Sequence, residues 1–109
     1  MHELGITQDI IDIVSQHAGD SKVNRIVLEI GKLSAVSPDA VRFCFDICVE
    51  GTVAEGAELE IIETPGLACC RSCGSDVVLE RPFGRCQCGE TDLEWREGEE
   101  LRIREMEVV

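Results

Sequence analysis

Residues 67–96, LACCRSCGSDVVLERPFGRCQCGETDLEWR, decide how this chain is put together. They carry five of its seven cysteines and few aliphatic side chains, so they cannot build a core unaided. Cys70-x2-Cys73 and Cys86-x-Cys88 stand 12 residues apart, and Cys73 and Cys88 are each followed by glycine. Two thiolates on a tight turn grip one side of a tetrahedral ion. The glycine lets the chain turn back so that its amides can donate to the sulfurs. Two such turns close a four-sulfur cage. Zinc, redox-inert and content with tetrahedral sulfur, is the expected ion. Four protein sulfurs leave no open coordination position, so the site reads as structural rather than catalytic. Other readings stand beside it: Cys69 in place of Cys70, disulfides, or rubredoxin-like iron for electron transfer. The odd cysteine count speaks against disulfides, and the lack of an aromatic shell speaks against redox iron.

The segments on either side supply the core. Residues 4–18 read as an amphipathic helix, with Ile6, Ile10, Ile13, Val14 and His17 at helical spacing and Gly19-Asp20 as its end. In residues 23–31, Ile26, Leu28 and Ile30 alternate with Arg25, Val27 and Glu29, which predicts a strand with the first set inward. Ser37-Pro38-Asp39 starts a second helix: serine caps, proline suits the first helical position, and aspartate favours the positive dipole end. That helix should run to about Glu50 and bury Val41, Cys44, Phe45 and Cys48. Cys44 and Cys48 are read as small apolar core residues rather than ligands. Residues 57–63 predict another strand with Ala57, Leu59 and Ile61 inward. Residues 101–108 predict the last, with a bulge or a change of covered face near Arg104-Glu105. The expected fold is α/β (α+β): a small three-stranded sheet covered by two helices, with an inserted zinc-ribbon-like subdomain. Residues 1–66 plus 97–109 form the main domain and 67–96 the insert.

Composition narrows the function. The 109 residues are 44% hydrophobic but only 4% aromatic, with no tyrosine, so the core must be aliphatic. The net charge is −12; residues 50–109 hold 15 acidic and 6 basic side chains, residues 1–49 hold 7 and 4. Such a chain is a poor ligand for nucleic acid or anionic membrane, because phosphate binding needs Lys and Arg to displace counterions. The acid either solvates the surface or meets a basic partner. No apolar run approaches the ~20 residues of a membrane span, and no signal peptide is visible, so the expected compartment is the cytoplasm. With two histidines and no nucleophile–base signature, an enzyme is not expected. His17, near the end of its helix, is read as solvated or packed.

The chain begins Met1-His2-Glu3. The Met1 amine and the His2 amide nitrogen close a five-membered chelate ring, and the His2 amide and imidazole Nδ1 a six-membered one. A deprotonated amide suits square-planar Ni(II) or Cu(II), not zinc or magnesium. The fourth position can go to Glu3, by amide or carboxylate, or to a group from elsewhere. Taken alone, the same three residues also read as an ordinary chain terminus.

The start MHEL, the segment VNRIVLEIG, the stretch SPDAVRFCFDICVEGTVAEGAELEI, the two Cys pairs and the ending ELRIREMEV resemble, in order along essentially the whole chain, the HypA/HybF family of hydrogenase nickel-incorporation proteins. The resemblance implies a metallochaperone, not an enzyme. It implies His2 as the main nickel ligand with Met1 and Glu3 in support, and Cys70, Cys73, Cys86 and Cys88 as zinc ligands. It implies passage of nickel, with a partner GTPase, into the large subunit of [NiFe]-hydrogenase, and in some organisms service to urease. A monomer or weak homodimer fits this role. The family pattern has two residues inside the second cysteine pair; here Gln87 stands alone, so a shorter turn must aim both sulfurs. Some relatives carry a further histidine near the zinc insert. None stands there here, which leaves backbone, Glu3, water or a partner to complete the nickel sphere. The competing reading, from another class, is an acidic zinc-ribbon adaptor that binds proteins and transfers no nickel.

Overall fold

The computed structural model describes residues 2–109, with only the backbone at His2. The elements run α1 (His2–Ala18), β1 (Val23–Gly31), α2 (Pro38–Cys48), β2 (Glu58–Thr64), β3 (Gly66–Cys70), β4 (Asp76–Leu79), β5 (Leu93–Glu97) and β6 (Leu101–Val108). They form two three-stranded sheets, ordered β2-β1-β6 and β4-β3-β5. The last strand returns to the first sheet, as its apolar face requires, and the insert carries a sheet of its own. Among the described residues no helix is long and apolar enough to cross a membrane.

Two compact units share the chain. One holds the residues up to Leu28, Val36–Ile62 and Arg102–Val109; the other holds Glu29–Ala35 and Glu63–Leu101. In the first unit the buried stripe of α1 is Thr7, Ile10, Ile11 and Val14, an i, i+3, i+4, i+7 set. This corrects the expected stripe: Ile13 is 46% exposed, and His17 is exposed in the last turn. The rotation is possible because Thr7 satisfies its hydroxyl locally, donating to the Glu3 carbonyl at 2.6 Å, and can therefore be buried. In α2, Val41, Phe45 and Cys48 are buried, and burial followed by the neighbouring Cys44 pushes the Cys48 thiol up. Cys44 is half-buried. The helix ends at Cys48, ahead of Gly51 at φ +75°.

β1 is the central strand, and its burial is continuous from Ile26 to Gly31. Val27 and Glu29, expected to face water, are 2% and 6% exposed. A strand paired on both sides leaves water little access even on its second face. Only Arg25 and Asn24 depart from that burial beyond Val23. Arg25 reaches Glu58 at 3.9 Å and Glu60 on β2, and Glu105 at 3.8 Å and Glu107 at 3.0 Å on β6. Along β6, Leu101, Ile103 and Met106 are half-buried while Arg104 and Glu105 are both exposed, so the face slips where the sequence parity does.

In the second unit β3 is central, antiparallel to β4 (Gly66 opposite Leu79, Cys69 opposite Asp76) and to β5 (Ala68 opposite Trp95, Cys70 opposite Leu93), with a register shift at Leu67/Ala68. Its apolar cluster is Leu33, Ala68 and Leu79, with Val77 and Leu93 packed against it. The backbone at Gly31, Gly66 and Gly98 runs in close contact. Gly31 N–H donates to Glu100 O at 2.7 Å and Leu33 N–H to Gly98 O at 2.8 Å. A Cβ built on Gly31 would lie 1.9 Å from the Gly98 oxygen, so no side chain fits there.

Candidate metal centre

The four cysteines of the two pairs converge. Every sulfur of Cys70, Cys73, Cys86 and Cys88 lies within 4.8 Å of the other three. Cys70 Sγ is 3.6 Å from Cys88 Sγ, and Cys73 Sγ is 3.6 Å from Cys86 Sγ. Zinc–sulfur bonds of about 2.3 Å place tetrahedral sulfurs about 3.8 Å apart, so the quartet matches the spacing of a four-sulfur zinc site. The same separations are far beyond the ~2.05 Å of a disulfide. Cys70 and Cys86 are buried and Cys73 and Cys88 exposed, so each turn contributes one inner and one outer sulfur.

The two turns solve the geometry differently. In the first, the Cys73 N–H points to Cys70 Sγ at 3.5 Å, and Gly74, at φ +78°, donates to Cys70 O at 2.9 Å. The glycine amide therefore closes the turn on a carbonyl, and the sulfur donor is the residue before it. In the second, Cys86 N–H donates to Glu90 O and Gly89 N–H to Cys86 O, both at 2.9 Å, with Gly89 at φ +98°. That paired backbone closure over residues 86–90 lets a turn with a single inner residue direct both sulfurs. Glu90 and Gly89 are thus structural members of the site that a spacing rule based on sulfurs alone overlooks.

Cys69 stands outside the quartet. Its thiol faces the Cys70 and Gly74 carbonyls at 3.8 and 3.6 Å, a weak donor position on the rear of the first turn. It does not replace Cys70, because neighbours along β3 point to opposite faces of the strand.

The electrostatics suit a divalent cation. The Ser75 hydroxyl, 3.3 Å from Cys73 Sγ, and the Ser75 amide hold the Cys73 thiol down at about 6. The Cys88 sulfur is drawn down by the Glu90 amide, but Cys70, Cys86, burial and Cys73 together push it up to about 12. The Cys88 amide draws Cys86 down, but burial and the sulfur of Cys73 leave it raised on balance. The Cys73 thiolate forms readily, whereas Cys86 and Cys88 hold their protons until a cation takes their place. With all four donors supplied by protein, such an ion holds the turns together and has no position open for a reactant.

Of the N-terminal residues singled out in the sequence, Met1 and the His2 side chain lie outside the described residues. Glu3 is described. Its carboxylate accepts the Ser37 N–H at 3.0 Å, at the start of α2. That amide, then Glu3's own amide, hold its pKa below the ordinary carboxylate value. Because α1 begins at His2, the amides of its first turn have no acceptor four residues earlier.

The chain matches, over residues 1–108, the family described as hydrogenase/urease nickel incorporation, metallochaperone, HypA. It is 62% identical over 108 residues to the hydrogenase maturation factor HypA of Trichormus variabilis, covering 99% of this chain and 96% of that one. It is 66% identical, with the same coverage, to the HypA of a Nostoc species. In three dimensions it is similar to the solution structure of the Ni metallochaperone HypA from Helicobacter pylori, with a TM-score of 0.66 at 21% identity, covering 98% of this chain and 97% of that one. A second solution structure, of a HypA protein, gives 0.68 at 24%. At these identities the structures bear on the fold.

Proposed function

The chain belongs to the HypA family of nickel-incorporation metallochaperones, and from that premise we propose that it carries Ni(II) at Met1-His2-Glu3 and hands it on during hydrogenase maturation. The Met1 amine, the His2 amide and the His2 imidazole are the donors, with Glu3 in support. The observation that carries this reading is the family match over residues 1–108, which takes in the N-terminal triplet itself. Local structure favours it. First-turn amides of a helix have no intrahelical acceptor, so giving up the His2 proton to a metal costs no helical hydrogen bond.

Residues 1–66 with 97–109 handle nickel in this reading, and 67–96 hold structural zinc through Cys70, Cys73, Cys86 and Cys88. When bound, zinc supplies only cross-linking, and the chain's own turns supply the donors and their amide partners. The recipient is the large subunit of [NiFe]-hydrogenase, reached with a nickel-handling GTPase, in the cytoplasm. Carriage rather than catalysis fits a family of metallochaperones and a metal cage with no open position.

The test is nickel titration of native protein against His2→Ala and against a chain extended at its N-terminus. Both changes should abolish tight binding, the first by removing the imidazole and the second by converting the amine to an amide. Native-like nickel binding by an extended His2→Ala protein would overturn the N-terminal site. Zinc alone, with no loadable nickel, would favour the adaptor reading.

A further inference from the structure

The Glu3 side chain links the first turn of α1 to the first turn of α2. Ser37 caps α2, its Oγ accepting from the Ala40 N–H at 3.2 Å. In a complete capping box, a Glu or Gln at the third helical position accepts the N–H of the cap residue in return. That position is Ala40, which has no acceptor. The Ser37 N–H donates instead to Glu3 Oε2 at 3.0 Å, 34 residues back in the chain. Glu3 is fixed at a second point, because its carbonyl accepts the hydroxyl of buried Thr7 at 2.6 Å. The residue next to His2 is therefore tied through its carboxylate to one helix and through its backbone to the other.

The geometry points to Glu3 as a positioning residue: its carboxylate completes the α2 cap and so fixes the N-terminal turn, and it gives no electron pair to nickel. This role rests on the N-terminal nickel reading above. The donor count agrees with it. Amine, amide and imidazole fill three corners of a square plane, and a backbone group or water can fill the fourth. Were the carboxylate to swing to the metal, the Ser37 N–H would lose its acceptor and the turn its anchor. Cargo would then be gained by loosening the frame that presents it.

Glu3→Gln separates the two roles, since a carboxamide oxygen still accepts an N–H but is a poor donor to nickel. Nickel affinity and the hydrogen exchange of the Ser37 amide are measured together, on the zinc-loaded full chain. The expected result is that Glu3→Gln keeps Ser37 protected and binds nickel more tightly than Glu3→Ala. Glu3→Ala should bind about fivefold more weakly, the size of one lost cap interaction, with Ser37 exchanging faster. Ser37→Pro, which deletes the N–H, should weaken nickel binding more than Ser37→Ala, which keeps it. If Glu3→Gln binds as weakly as Glu3→Ala while Ser37 stays protected, the carboxylate is a ligand and the positioning role is wrong. If His2→Ala leaves nickel affinity unchanged, the N-terminal site itself fails, and this role with it.

Discussion

The unit built on α1 and α2 buries Ile11, Val14, Val23, Ile26, Leu28 and Val41 to 1% exposure or less. The unit around the four cysteines has Leu33, Ala68 and Leu79 as its core cluster. A fully buried Ile, Leu or Val contributes about 1.5–3 kcal/mol, so the first unit has a core of ordinary means. That small cluster, even with Val77 and Leu93 packed against it and Ile30 buried in the same unit, falls short of the ~1–2 kcal/mol per residue needed to order the backbone of some 46 residues. The second unit makes up the difference with its sulfur cage, since a structural zinc can contribute on the order of 10 kcal/mol. One chain thus uses two ways of staying folded. The burial of a region, rather than its hydrogen-bonded regularity, tells which way it uses.

The strongest way to break this contrast is to remove the zinc. Chelation, or Cys70→Ser, should cost the second unit on the order of 10 kcal/mol, so that β3, β4 and β5 exchange their amides freely while α1 and residues 23–28 of β1 stay protected. Cys69→Ser should keep full zinc content, because that thiol faces carbonyls rather than the quartet. Zinc-free protein with β3 still protected would show that the small core suffices.

The converse perturbation is Leu28→Ala. A cavity at a side chain 1% exposed should cost about 2–5 kcal/mol and lower Tm while zinc stays bound. Parallel loss of zinc at native temperature would mean that the units do not stand on separate supports.

A smaller effect sharpens the difference in chemistry. Lowering the pH from about 7.5 to about 6.3 should weaken nickel binding and leave zinc in place, since imidazole titrates near ~6.5 and the terminal amine near ~7.7–8.0. The Glu3 carboxylate is not responsible for that loss. Its folded pKa is lowered, so it stays ionised until pH falls through that depressed value, below the ordinary carboxylate range. The thiolates are held by the ion that replaced their protons. Nickel titrations at the two pH values, with zinc measured alongside, check this; equal nickel affinity or prior loss of zinc would count against an amine–imidazole site.

The first unit was legible because its signals are local. Ser37-Pro38-Asp39 marks a helix start wherever it stands, and the alternation in 23–31 and 57–63 marks strands. Local pattern misplaced the face of α1, because a threonine counts as polar until its hydroxyl is known to bond to Glu3. It also left Val27 and Glu29 in water, because centrality in a sheet is a property of neighbours. The second sheet was not legible at all. β4 has four residues, β3 ends in two cysteines, and their pairings with β5 are made across the metal loops, where no periodicity speaks. Sequence spacing brought the four sulfurs together. How the turn with a single inner residue could serve was hidden in backbone bonds between Cys86, Gly89 and Glu90.

Arg25 has a consequence for how copies of the molecule treat one another. Its guanidinium gathers Glu58 and Glu60 from one outer strand and Glu105 and Glu107 from the other, and the Glu60 contact is the main cause of its raised pKa. Four carboxylates share one cation, and the β2 margin, with Glu58, Glu60 and Glu63 and no basic residue of its own, remains negative. An open margin is a template on which a neighbouring chain can add a strand. A second copy would bring the same carboxylates against these, and like charges set opposite one another oppose such pairing. The residue that ties three strands together within one molecule thus leaves the β2 margin charged against the matching strand of a second copy.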